Sequence, residues 1–244
     1  YTKKMLKILR RADLQASFFI TGRNVSTFKS SLLATQKQGI PIGNHSWSHP
    51  LLTTLGYQEQ RSQLGDTNAA VKRATGDPVR FFRPPYGAYD ATTVDIMKQR
   101  KMIMVLWSID SQDWTLPGAD AIVQNVLANN GASDIVLVHD GGGDRCQTLP
   151  ALPRIIAGIE QKGPIAPDIA QLAVQAPQVA LFSQNFEAGA LASVNNSAKR
   201  TRARTSAGYV LAQPPRRKHS SMYQRQESKL LLISLRTKDS HDAR

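Results

Sequence analysis

The sequence predicts an α/β fold, a parallel sheet or barrel with helices packed outside it. Three observations carry that prediction. Short apolar runs bounded by turn residues alternate with longer helical stretches through residues 1–163. Several of the longer stretches stop at a glycine, at Gly39, Gly76, Gly131 and Gly163, as C-terminal helix caps often do. Hydrophobic residues make up 41% of the chain and charged residues 20%, which is enough apolar material for a packed core. Regular β–α alternation sets strands side by side in parallel, with each helix returning over a face of the sheet.

Taken in order, "ASFFI" (16–20), "IPIG" (40–43), "RFF" (80–82), "MIMVLW" (102–107) and "DIVLVH" (134–139) read as buried strands, being brief and apolar. Helices are expected over 2–11, 24–38, 57–75, 90–100, 118–129 and 148–162. From about residue 176 the pattern dissolves into Ser, Arg, Gln and Pro, and "LLLISL" is a lone apolar run with nothing obvious to pair with. The expected division is a domain over 1–175 and a disordered basic tail over 176–244.

The net charge is +13 in 244 residues. Residues 1–175 carry 19 Lys and Arg against 14 Asp and Glu, a net of +5, whereas 176–244 carry 12 against 4, a net of +8. Basicity is therefore concentrated in the tail, which lacks interleaved aromatics and any binding motif, and no nucleic-acid partner is expected. A basic nucleic-acid arm is the competing reading. Apolar runs such as "MIMVLW" fall far short of the roughly 18 to 20 residues of a membrane span. One cysteine, Cys146, excludes an internal disulfide and a multi-cysteine zinc site, so a metal would need histidine and carboxylate ligands. The chain starts at Tyr1 with no visible signal segment, which suggests a fragment of a longer protein.

Four predicted strand ends carry polar clusters. "GNHSWSHP" places His45 and His49 four residues apart. Pro50 disfavours a helical His49, so the pair belongs to a strand-end loop. Alone, the two read better as solvated or hydrogen-bonded loop histidines than as metal ligands. "RFFRPPYG" supplies Arg83 and Tyr86, "LWSIDSQDW" supplies Asp110, Asp113 and Trp114, and "IVLVHDGGGD" supplies Leu137, His139 and Asp140. Each residue has an ordinary structural role open to it. Four clusters in order, each at the end where β/α barrels place their active sites, point to an enzyme.

With these motifs assembled, the chain resembles the polysaccharide deacetylases, the NodB-homology group or carbohydrate esterase family 4, over about residues 1–163. "ASFFITG" is similar to a family strand, "HSWSHP" to its metal-binding motif, and "RPPYG", "DSQDW" and "LVHD" to its third, fourth and fifth motifs. The resemblance implies a distorted (β/α) barrel that hydrolyses N-acetyl groups of amino-sugar polymers, such as chitin oligomers, peptidoglycan or exopolysaccharide. It implies a divalent metal, usually Zn²⁺, on His45 and His49 together with an aspartate. It implies that Arg83 orients a base, that the Tyr86 amide stabilises the oxyanion, and that His139 is the acid supported by the charge of Asp113. Trp114 and Leu137 would line the acetyl pocket. The parent protein would be secreted or held at the cell surface.

The family's T-F-D-D-G motif, which supplies two aspartates from a first strand, does not occur in these residues. The expectation is a truncated domain lacking that strand and impaired in catalysis. The alternative reading is a non-catalytic carbohydrate-binding remnant of the same fold.

Overall fold

The computed structural model describes residues 1–14, 16–129 and 135–161, together with the backbone of 230–234. The expected caps at Gly131 and Gly163 and the remainder of the expected tail lie outside the described residues.

Helix α1 (Thr2–Arg11) leads into strand β1 (Ala16–Ile20). After α2 (Lys29–Lys37) comes β2 (Ile42–Asn44), then α3 (Tyr57–Thr75), β3 (Phe81–Phe82), α4 (Ala91–Gln99) and β4 (Ile103–Met104). The second half runs β5 (Ile109–Asp110), α5 (Ala119–Leu127), β6 (Ile135–His139), α6 (Thr148–Glu160) and β7 (Leu230–Ser234). The strands form one sheet in the order β4-β3-β2-β1-β7-β6-β5. All pairings are parallel except those of β7, which is antiparallel to both neighbours. The predicted α/β class and the parallel order hold.

Strand β1 shows how the layers divide. Phe18 and Ile20 pack outward into the two clusters beneath the helices. Phe19, between them, points the other way into a group with Phe81, Val105 and Leu137. The two-residue side-chain period of a strand produces this split. Helices α1, α5 and α6 are held by one outer cluster and α3 and α4 by the other. Gly39 and Gly76 sit at positive φ (69° and 83°) behind α2 and α3, as their sequence positions predict.

Three expectations need correction. The run over 102–107 is only a two-residue strand, with β5 starting separately at Ile109. The Arg83 guanidinium takes the carbonyls of Val105 and Leu106, which a continuing ladder would have used. The helix expected from residue 24 starts at Lys29. Before it, the amides of Gly22 and Arg23 donate to the carbonyls of Ser46 and Trp47, which pulls this segment toward β2 as a 3₁₀ turn. Finally, "LLLIS" is not unpaired. It forms β7 and fills the sheet between β1 and β6.

Candidate active site

The C-terminal ends of β2, β3, β5 and β6 bring four loops together. The β2 loop is anchored from α3. Asn44 donates from Nδ2 to the Leu64 carbonyl (2.8 Å) and to Asn68 Oδ1 (2.7 Å), while its Oδ1 accepts from the Ser46 amide (2.7 Å). Gln63 Oε1 accepts from the amides of Trp47 and Ser48, at 2.8 and 2.9 Å. These bonds hold Ser46 and His49 at φ of 65° and 63°, conformations that non-glycine residues seldom adopt.

His45 is 2% exposed, and its Nδ1 lies 2.7 Å from the Arg83 carbonyl. A carbonyl only accepts, so Nδ1 carries the proton and Nε2 keeps its lone pair. His45 Nε2 and His49 Nδ1 are both buried and have no hydrogen-bond partner among the described residues. The two rings meet edge to face with centroids 4.7 Å apart, and Tyr86 packs on the far side of His49 at the same distance. Burial, followed by the neighbouring His49, pushes the His45 pKa well below the ordinary value. Burial and the nearby His139 lower that of His49 to about 4. Both rings are therefore neutral at pH 7, the form that ligates a metal.

Arg83 is fully buried. Its Nε and Nη2 donate to the Val105 and Leu106 carbonyls (3.0 and 3.1 Å), and its plane stacks 4.5 Å from the Phe19 ring centroid. Its Nη1 has no hydrogen-bond partner among the described residues. Burial pushes its pKa down from the usual range. Tyr86 sits in a 3₁₀ turn with φ 59° and ψ 8°.

Across the site, His139 at the end of β6 pairs with Asp113. Asp113 Oδ1 lies 2.6 Å from His139 Nδ1, and Oδ2 accepts the His139 amide at 2.9 Å. Thr148 Oγ1 also donates to Oδ2, at 2.8 Å. Burial works against the Asp113 anion, but the His139 charge and these hydrogen bonds outweigh it and hold its pKa below the ordinary value. Trp114 follows in a 3₁₀ turn between Gln112 and Leu116, both at positive φ (55° and 56°), and its side chain hydrogen-bonds Asp110. Leu137 is buried in the inner cluster with Phe19 and Phe81. Asp140 is turned toward the start of α1, where it accepts from Thr2 Oγ1 at 2.5 Å.

The structure thus brings His45, His49, Tyr86 and Arg83 into one group, with His139, itself paired to Asp113, within electrostatic reach of it. The supporting residues Asn44, Gln63 and Thr148 are ones that the motifs did not reveal. A polar residue at the start of a predicted helix was the only sequence signal for Thr148. The open lone pair of His45 Nε2 and the neighbouring neutral ring of His49 fit two positions of a metal's coordination shell. Among the described residues no third His, Cys, Asp or Glu joins them, so the ligand set is one short of the usual three.

Comparison with known proteins identifies the family. The sequence profile of the family described as polysaccharide deacetylase matches residues 1–105. A peptidoglycan-N-acetylglucosamine deacetylase of Bacillus cereus is 33% identical, over 67% of this chain and 60% of its own length. A chitooligosaccharide deacetylase of Sinorhizobium fredii is 30% identical, over 67% of this chain and 81% of its own. Among solved structures, a CE4 family pseudoenzyme from Bacillus anthracis superposes with a TM-score of 0.67 at 32% identity, covering 70% of this chain and 60% of that one. The chain thus spans about 60% of the length of the first of these relatives. On its fold, its motif order and these identities, the chain belongs to the polysaccharide deacetylase family.

Proposed function

We propose that this chain is a deacetylase domain directed at N-acetylated amino-sugar polymers, the class named by its peptidoglycan and chitooligosaccharide relatives. The observation that carries this reading is a pair of adjacent neutral imidazoles set near a histidine backed by a buried aspartate. His45 and His49 would hold a divalent metal, with Zn²⁺ best suited to two nitrogens. When bound, it would polarise the amide carbonyl and acidify a water.

The chain's own residues do the rest. Hydrolysis adds water oxygen to the acetyl carbon, breaks the C–N bond and leaves acetate and a sugar amine. That amine must gain a proton as it departs. His139 supplies it from Nε2 while Asp113 holds Nδ1, the division of labour that fixes an acid's direction. The Tyr86 amide, on a left-handed backbone, would stabilise the developing oxyanion. Leu137 and Trp114 line the methyl pocket. Arg83 Nη1, buried and without a hydrogen-bond partner among the described residues, would orient a carboxylate base.

No carboxylate among the described residues joins the His45–His49 pair, so the described residues supply neither the third ligand nor the base. A missing general base costs roughly 10²–10⁴ in rate. The expected outcome is negligible acetate release from N-acetylglucosamine oligomers by this chain with added zinc. Restoring an N-terminal segment that carries two aspartates should bring the activity back. Robust turnover by the unaltered chain, free of contaminating enzyme, would mean that another carboxylate is the base. The same gap favours a second reading, a domain that binds amino-sugar polymers without cleaving them. Binding of chitin oligomers without acetate release, even after the segment is restored, would select it.

A further inference from the structure

Asp113 is held more firmly than pairing with one histidine requires. A carboxylate turns about its last side-chain torsion in a broad, roughly two-fold well, so the side chain alone does not fix where each oxygen points. One bond from His139 Nδ1 to Oδ1 leaves that rotation open. The two bonds on Oδ2 close it, because they come from different elements: the His139 amide from β6 and the Thr148 hydroxyl from α6.

We propose that Thr148 is a positioning residue for the Asp113–His139 pair. Its hydroxyl fixes the rotation of the carboxylate, so that Oδ1 stays on the Nδ1 axis and Nε2 of His139 stays aimed into the site. Thr148 has no exposed surface, so water does not replace it as donor. Its position is set by the helix that it opens. Ala151, Leu152, Ile155, Ile156 and Ile159 of α6 are buried in the outer core. The preceding Gln147 accepts from the Gly118 amide at 2.7 Å, which ties the start of α6 to the start of α5. Core packing of α6 is in this way transmitted through one hydroxyl to the proton donor. The start of a helix adds a favourable field for the carboxylate, but the direction comes from the hydrogen bond.

This inference rests on the reading of His139 as the acid, yet its test reads the pair itself and needs no turnover. In ¹⁵N-histidine-labelled protein, the Nδ1 proton of a histidine bonded at 2.6 Å to a buried carboxylate gives a far-downfield, slowly exchanging resonance. Its assignment comes from its absence in His139→Gln. Thr148→Val keeps the shape and removes the donor. We expect the resonance to broaden or vanish, with exchange faster by on the order of tenfold, the effect of losing one net hydrogen bond. Thr148→Ser should restore it. If Thr148→Val does not fold, Thr148→Cys makes the same comparison with a poor donor. A resonance unchanged in the folded valine or cysteine variant overturns the proposal. So does loss in Thr148→Ser as well, which would assign the effect to the methyl group, and so does absence of the resonance from the wild type. Failure of acetate release in the restored protein would instead count against the deacetylase reading and leave this result standing.

Discussion

Lowering the pH from 7 to 4 in the presence of a chelator should destabilise the fold through its histidine pair. His49 titrates near 6.5 when unfolded and at about 4 when folded, because burial and the facing His139 disfavour its charged form. Between those values the unfolded chain carries a proton that the folded chain does not. The unfolded state binds more protons, so stability rises with pH: it is complete above about 6.5 and is lost as the pH falls toward 4. A shift of about 2.5 units at 1.36 kcal/mol each gives about 3 kcal/mol from His49. His45 acts in the same direction. That loss is a large fraction of the roughly 5–15 kcal/mol typical of a domain. The assay is urea unfolding at half-unit pH steps, for the wild type and His49→Gln with EDTA present. Asp110, whose pKa burial raises, acts in the opposite direction, but it is present in both proteins and cancels in the difference. The stability difference between wild type and variant should change by about 3 kcal/mol across the window. A flat difference would refute the burial argument.

Two further outcomes follow from the same loops. Zinc titration by calorimetry should give measurably weaker binding for His45→Ala than for the wild type, and equal binding would remove the metal assignment. Gly22→Ala should destabilise by about 1–3 kcal/mol, because the added Cβ would meet the Trp47 ring and lie 2.5 Å from Thr67 Oγ1. An unchanged urea midpoint would show that the loop yields to the extra carbon without cost.

Much of the fold could be read from sequence because the signals were local. The strand "ASFFI" and the helix over 57–75 need only hydrophobic pattern and a terminal Gly76 to define them. Metal-ligand and acid candidates were legible as residue types at strand ends. What escaped was set by contacts across the chain. Strand β4 stops at Met104 because a side chain 21 positions earlier, Arg83, captures the next carbonyls. Strand β7 finds its place between β1 and β6 from nearly 70 residues beyond α6, a distance over which periodicity carries no information. Asn44 and Gln63 looked like ordinary polar residues until α3 brought them against the histidine loop.

The left-handed residues around the site have a consequence for how this domain can change. Ser46, His49, Tyr86, Gln112 and Leu116 each hold a conformation that glycine adopts at no steric cost. At about 1–3 kcal/mol apiece, their combined strain is of the same order as the whole stability of a typical domain. Selection for heat resistance alone would find easy gains at these positions by substituting glycine. Each gain would free a loop that presents His49, Tyr86 or Asp113, so the protein would grow tougher as its site lost definition. A screen that scores both survival at temperature and ligand binding should see these five positions trade one against the other, while substitutions on the exposed face of α3 move neither.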